Sequence, residues 1–166
     1  MKTASAQSLS LQGTASRSLL TILMIGVGVA LPRGFHALGL GSVFLPMFLP
    51  ALLAAMIIDL PYALIVAVVT PVLSSLIAGV PSAGMAVVMG VQLAVACMTV
   101  WLVYERKKRS VWLALLAGIV TERLLSLILA STLLNGILTP SGVLASYPGM
   151  IFLFVSGFLL MKFYER

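Results

Sequence analysis

The sequence predicts an all-α integral membrane protein with six transmembrane helices and both termini in the cytoplasm. Three observations predict it. Long apolar runs recur along nearly the whole chain, as in a protein whose solvent is lipid. Only 8% of the 166 residues are charged and 61% are hydrophobic, with a mean hydropathy of +1.20, where a soluble domain carries about 25% charged residues. Arg and Lys gather at one set of helix ends, the pattern left by retention of cations on the cytoplasmic side.

Residues 1–17 are polar and rich in Ser, Thr and Ala, and read as a flexible cytoplasmic N-terminus ahead of a single six-helix domain over residues 18–166. Lys2 and Arg17 before a short apolar run are also compatible with a cleaved signal peptide. A retained first helix is the preferred reading, because the apolar pattern resumes at once. The apolar runs occupy roughly residues 18–32, 43–58, 62–80, 83–104, 111–134 and 145–162, and about 20 helical residues are needed to cross a hydrocarbon core. The first two runs are short and need flanking residues or local bilayer thinning to span.

With the N-terminus inside, Lys2, Arg17, the Glu105-Arg106-Lys107-Lys108-Arg109 loop and the Lys162/Arg166 tail are all cytoplasmic, and the outer loops hold Arg33. The aromatic residues Tyr62, Trp101, Tyr104, Trp112 and Tyr164 fall at the same inner boundary, where amphipathic rings favour the headgroup level. The net charge of +6 therefore reads as a topology signal, and no nucleic-acid partner is expected. Membrane lipid is the expected surrounding. Cys97 is the single cysteine, which excludes an intrachain disulfide and reads as packing. No internal repeat is visible, which argues against a self-contained inverted-repeat carrier.

Glu122 and Arg123 fall near the middle of the fifth run, where an ionised side chain costs about 2.5–3.5 kcal/mol on insertion scales. Adjacent helical residues point about 100° apart, so each is expected to need company of its own. Arg123 offers a fork of donors to an acidic or carbonyl group on a solute, with Glu122 holding a neighbouring polar group. The alternative is an interhelical ion pair or a bond to Gln92. Gln92 lies midway along the fourth run and lines the same cavity if helices four and five are neighbours; interhelical bonding is the competing reading. The Gly-rich stretch 33–41 carries Phe35 and His36 and reads as an outer loop able to close over a solute, Phe35 as apolar cover and His36 as polar tip. One histidine with no Cys or acidic cluster argues against a metal site, and no cofactor is expected. Pro71 is expected to kink the third helix, with Ser74 and Ser75 re-satisfying freed carbonyls. Gly26 and Ala30 form a small-xxx-small pair that admits close approach of another helix, either a partner's or one of the chain's own.

The stretches Leu31-Pro32-Arg33-Gly34-Phe35-His36-Ala37-Leu38-Gly39 and Phe44-Leu45-Pro46-Met47-Phe48-Leu49-Pro50 resemble the first loop and second helix of the substrate-binding (S) components of energy-coupling-factor (ECF) vitamin transporters. Thr70 to Pro81 resembles the family's Pro-Leu-Leu-Ser segment ending in Gly-Met-Pro, and Gly118 to Arg123 its Gly-Arg in helix five. The likeness spans about residues 20–130. It implies a six-helix protein of a prokaryotic plasma membrane that captures a vitamin or related micronutrient. Such a protein docks on a coupling transmembrane subunit driven by two ABC ATPase subunits. It also implies coupling-subunit contact at Gly26 and Ala30, and a solute site drawing on Gln92, Glu122 and Arg123. Gln92 stands where many relatives carry glutamate, and Glu122 where they carry small residues.

The chain has no Gly-x-x-x-x-Gly-Lys-[Ser/Thr] loop, so energy for transport must come from a partner. Ser74, Ser75, His36 and Glu122 form no recognisable nucleophile–base spacing, so an enzyme is not expected. The competing function is a structural or accessory subunit of another membrane complex.

Overall fold

The computed structural model describes residues 13–37, 47–106, 110–132 and 146–164, with the backbone alone for His36, Ala37, Arg106, Ser131, Thr132 and Tyr164. All regular structure among them is helical. The helices are α1 (Thr14–Ala37), α2 (Phe48–Ile57), α3 (Leu60–Ala78), α4 (Ala83–Trp101), α5 (Val111–Thr132) and α6 (Tyr147–Tyr164), with a π-helical turn at Leu102–Arg106 continuing α4. Residues 1–12, with Lys2, and residues 38–46, 107–109, 133–145 and 165–166 lie outside the described part, and so does much of the loop expected to cover a solute.

Among the described residues four helices are long and apolar enough to cross a membrane: Thr14–Phe35, Leu60–Ala78, Ala83–Glu105 and Val111–Ala130. The α6 segment Tyr147–Phe163 is apolar but shorter, and α2 has 10 residues. At 1.5 Å per residue α2 extends about 15 Å, half of a hydrocarbon core.

The helix starts and stops follow local chemistry. Asp59 precedes α3, whose first turn holds Pro61, a residue that gives up a backbone donor already orphaned there. Gly79 ends α3 in the left-handed conformation, φ 69°, its N–H donating to the Ser75 carbonyl, a closure that a Cβ would strain. Ser82 then caps α4, accepting from the Met85 backbone N–H at 3.4 Å. The Ser74 hydroxyl donates to the Val80 carbonyl at 2.8 Å. It thus bonds the turn beyond the helix, not the backbone freed by Pro71 as the sequence suggested. Pro71 packs its ring against Gly90 of α4 instead.

The outer loop expected from residue 33 is helical as far as Ala37, because α1 runs through Pro32. Pro32 removes one backbone bond, but an unwound segment in an apolar surrounding would leave several groups unpaired, so the helix continues.

Helix directions follow from fixed contacts. Arg17 pairs with Asp59, the start of α1 with the start of α3, and a Cβ on Gly28 would sit 2.6 Å from Thr70 Cγ2, so α1 and α3 run parallel. The tight turn at Gly79–Ser82 makes α3 and α4 antiparallel. Gly118 faces Val100 and Ala96, and Gly157 faces Leu115, which sets α5 against α4 and α6 against α5, each antiparallel. Phe35 of α1 meets Phe152 of α6 edge to face, centroids 5.9 Å apart at 62°. α2 packs against α1, α3, α4 and α6, and every residue from Phe48 to Met56 is buried. Its alanines, Ala51, Ala54 and Ala55, are fully covered and let neighbouring helices approach closely. The Cys97 thiol donates to the Ala51 carbonyl at 3.2 Å, a packing role joining α4 to α2.

Arg17, Asp59, Glu105 and Lys162 gather at one end of the bundle, with Tyr62, Trp101, Tyr104 and Trp112, while Arg33 lies at the other. The outward faces carry exposed Leu19, Ile22, Leu76 and Phe163, which lipid would solvate at no hydrophobic cost.

Candidate functional site

The buried stripe of α5 runs through Ala114, Leu115, Gly118, Glu122, Ser126 and Ala130, so helical periodicity itself turns Glu122 inward. Glu122 is 4% exposed. Its neighbour Arg123 folds back to it, Nε donating to Glu122 Oε2 at 2.5 Å, and Nη1 donates to the Ser146 hydroxyl at 2.7 Å. The Ser126 hydroxyl donates to Glu122 Oε1 at 2.6 Å. The sequence reading that adjacent residues cannot satisfy each other is therefore corrected. The Arg side chain is long enough to cancel the 100° offset, and a weakly screened interior rewards the pair strongly.

Glu122 and Arg123 line a cavity with Phe48, Leu52, Ala96, Ile119, Met150 and the glycines Gly118 and Gly149. The cavity lies beside the first two turns of α2, at Phe48 and Leu52. Its volume is about 10 Å³, room for about one water. Among the described residues, the lining apart from the ion pair is apolar.

Gln92 is 2% exposed and its Nε2 has no hydrogen-bond partner among the described residues. It is not among the residues lining this cavity and does not bond Arg123. The register that sets Gly118 against Ala96 carries Gln92, one turn from Ala96, to the level of Glu122, one turn from Gly118. A buried amide donor left unpaired costs about 1–3 kcal/mol, which a polar occupant would offset. Thr70 Oγ1, between α3 and α1, is likewise buried without a partner among the described residues.

The remaining expected residues fall apart from this group. Phe35 is a helical residue packed on Phe152, not the cover of a mobile loop. For His36 the structure gives helical backbone alone. Gly26 and Ala30 face outward, and a Cβ on Gly26 would meet nothing within 4 Å. That pair therefore serves no contact among the described helices, whereas Gly28, on the opposite side of α1, is the residue α3 packs against. Among the described residues no group of three or more His, Cys, Asp or Glu is placed to hold a metal.

Ser126 and Ser146 were not singled out from the sequence. Ser126 was legible, since it stands four residues after Glu122 on one helix face. Ser146 was not, because its partner is on another element.

No protein-family model, curated protein or solved structure matches this chain, so the likeness to ECF S components rests on the sequence segments themselves.

Proposed function

We propose that this chain captures a small solute at the buried Glu122–Arg123 pair for ATP-driven import, acting as the S component of an ECF-type transporter in a prokaryotic plasma membrane. The observation that carries the proposal is a buried ion pair lining a small cavity, at the level of a Gln92 amide nitrogen that has no partner among the described residues. Proteins retain such groups inside a membrane mainly where they meet a solute, an ion or each other. The pairing of Arg123 with Glu122 refines the solute class. A free arginine would select an anion, but a paired one presents donors beside acceptors. It favours a neutral or zwitterionic molecule, such as one with an amide, ureido or pyrimidinone edge.

In this reading the basic end is cytoplasmic, α2 and α6 complete six membrane segments with flanking residues, and the solute enters from the Arg33 end. The outward Gly26/Ala30 groove receives a helix of the coupling subunit. The cavity of about 10 Å³ is the closed form, and admitting a vitamin requires α6 to move from α5 with loss of the Arg123–Ser146 bond. The small size of that cavity also favours the second reading, an accessory subunit that binds no solute.

Co-expression separates the two. A chain that co-purifies with an ECF coupling subunit and its ATPases, and supports ATP-dependent uptake lost on Gly26→Leu, fits the proposal. Stable assembly with other membrane proteins, without uptake of any vitamin offered, fits the second reading.

A further inference from the structure

We propose that the cleft between the C-terminal ends of α1 and α3 is a lipid site, in which the phosphate of an anionic phospholipid sits on Arg33 and an acyl chain lies along α3. The cleft is lined by Pro32, Arg33, Ser74, Ala78 and Val80 and encloses about 300 Å³, enough for a headgroup fragment. Arg33 is exposed and makes no ion pair or hydrogen bond among the described residues. A guanidinium carries five donors in a planar fork suited to phosphate. Among the described residues of the lining the other polar side chain, Ser74, has its hydroxyl hydrogen committed to the Val80 carbonyl, so recognition by these residues rests on Arg33.

The height of the cleft fixes the kind of anion. α3 has 19 residues and rises about 28 Å from Asp59, which places Ala78 and Arg33 at the headgroup level opposite the basic end. Ile77, on the flank of the α3 face that lines the cleft, and Val80, in the turn just beyond α3, are 57% and 45% exposed. A ligand anionic at one end and apolar along its length meets both features. A free phosphate would leave the apolar surface uncovered. This site is separate from Glu122 and Arg123 and does not depend on solute capture.

The test is native mass spectrometry of the full chain in detergent, after incubation with phosphatidylglycerol or phosphatidylcholine. The wild type retains phosphatidylglycerol preferentially. Arg33→Gln reduces retention about tenfold, the loss expected for one charge-assisted contact, with helicity unchanged by circular dichroism. Ala78→Phe, which fills the cleft and leaves Arg33 in place, reduces it similarly, and Lys162→Gln at the opposite end leaves it unchanged. Equal retention by Arg33→Gln and wild type, or an equal loss in Lys162→Gln, would overturn the proposal. Displacement of the lipid by millimolar glycerol phosphate would overturn its lipid part and leave a site for free phosphate.

Discussion

Arg123 donates to Glu122, the residue before it on the same helix, at 2.5 Å, and to Ser146 at the head of α6 at 2.7 Å. One side chain thus neutralises the buried carboxylate of its own helix and ties that helix to the next. Ser126 holds the other carboxylate oxygen. This small polar group lines a cavity beside the first turns of α2, and its removal has consequences that differ by residue.

Single substitutions here should cost more than a double one. Glu122→Leu leaves an uncompensated cation, and Arg123→Met an uncompensated carboxylate, each expected to lower stability by about 3–5 kcal/mol. The double variant, with apolar residues of similar volume, should recover most of that loss. Denaturant or thermal unfolding in one detergent, arranged as a double-mutant cycle, measures the coupling.

Gln92→Leu should move stability and binding in opposite directions. Removing an amide whose Nε2 is unpaired among the described residues is expected to stabilise the empty protein by about 1–3 kcal/mol. Loss of the same donor should weaken solute binding about tenfold. Thermal unfolding with and without solute reads both effects, and a destabilised empty variant would show that Gln92 has a structural partner.

The glycines should divide by the side of the helix they occupy. A methyl on Gly118 would stand 2.4 Å from Val100 Cγ2 and 3.5 Å from the Ala96 carbonyl. Valine is stiff at its first torsion, so Gly118→Ala should destabilise by about 1–3 kcal/mol. Gly26→Leu meets open space and should leave unfolding unchanged, while a partner helix that uses the groove should dissociate. Unfolding curves and co-purification of the two variants check this together.

Orientation is open to a chemical test. Ser82 and Ser110 are exposed at opposite ends of α4 and the turn that follows it. In a Cys97→Ala background, a membrane-impermeant maleimide added to whole cells should label Ser82→Cys and spare Ser110→Cys until the membrane is opened. The reverse pattern would place the basic end outside, against the retention of cations in the cytoplasm.

The helical architecture was legible because apolar runs and their punctuation are local signals. Gly79 and Ser82, for instance, mark the α3–α4 turn by residue type alone. The extension of α1 past Pro32 was not legible, since a proline and three nearby glycines read as a loop in water, and the apolar surrounding reverses that balance. The inward direction of Glu122 followed from helix period, but its pairing with Arg123 depended on side-chain reach, which spacing does not encode. Gln92 was expected beside Arg123, and the structure sets it at the same level without a bond. Arg33 was read as a loop residue and stands instead on a helix beside a cleft, because the contact between α1 and α3 is set by Gly28 and Thr70, far apart in sequence.

The most direct measurement is mass spectrometry of small molecules released from the detergent-purified chain after incubation with a vitamin mixture, run beside Arg123→Ala. The account predicts a neutral or zwitterionic vitamin-like compound released from the wild type in near-stoichiometric amount and absent from the variant. A wild type that stays empty, or a compound retained equally by Arg123→Ala, would contradict solute capture at the Glu122–Arg123 pair.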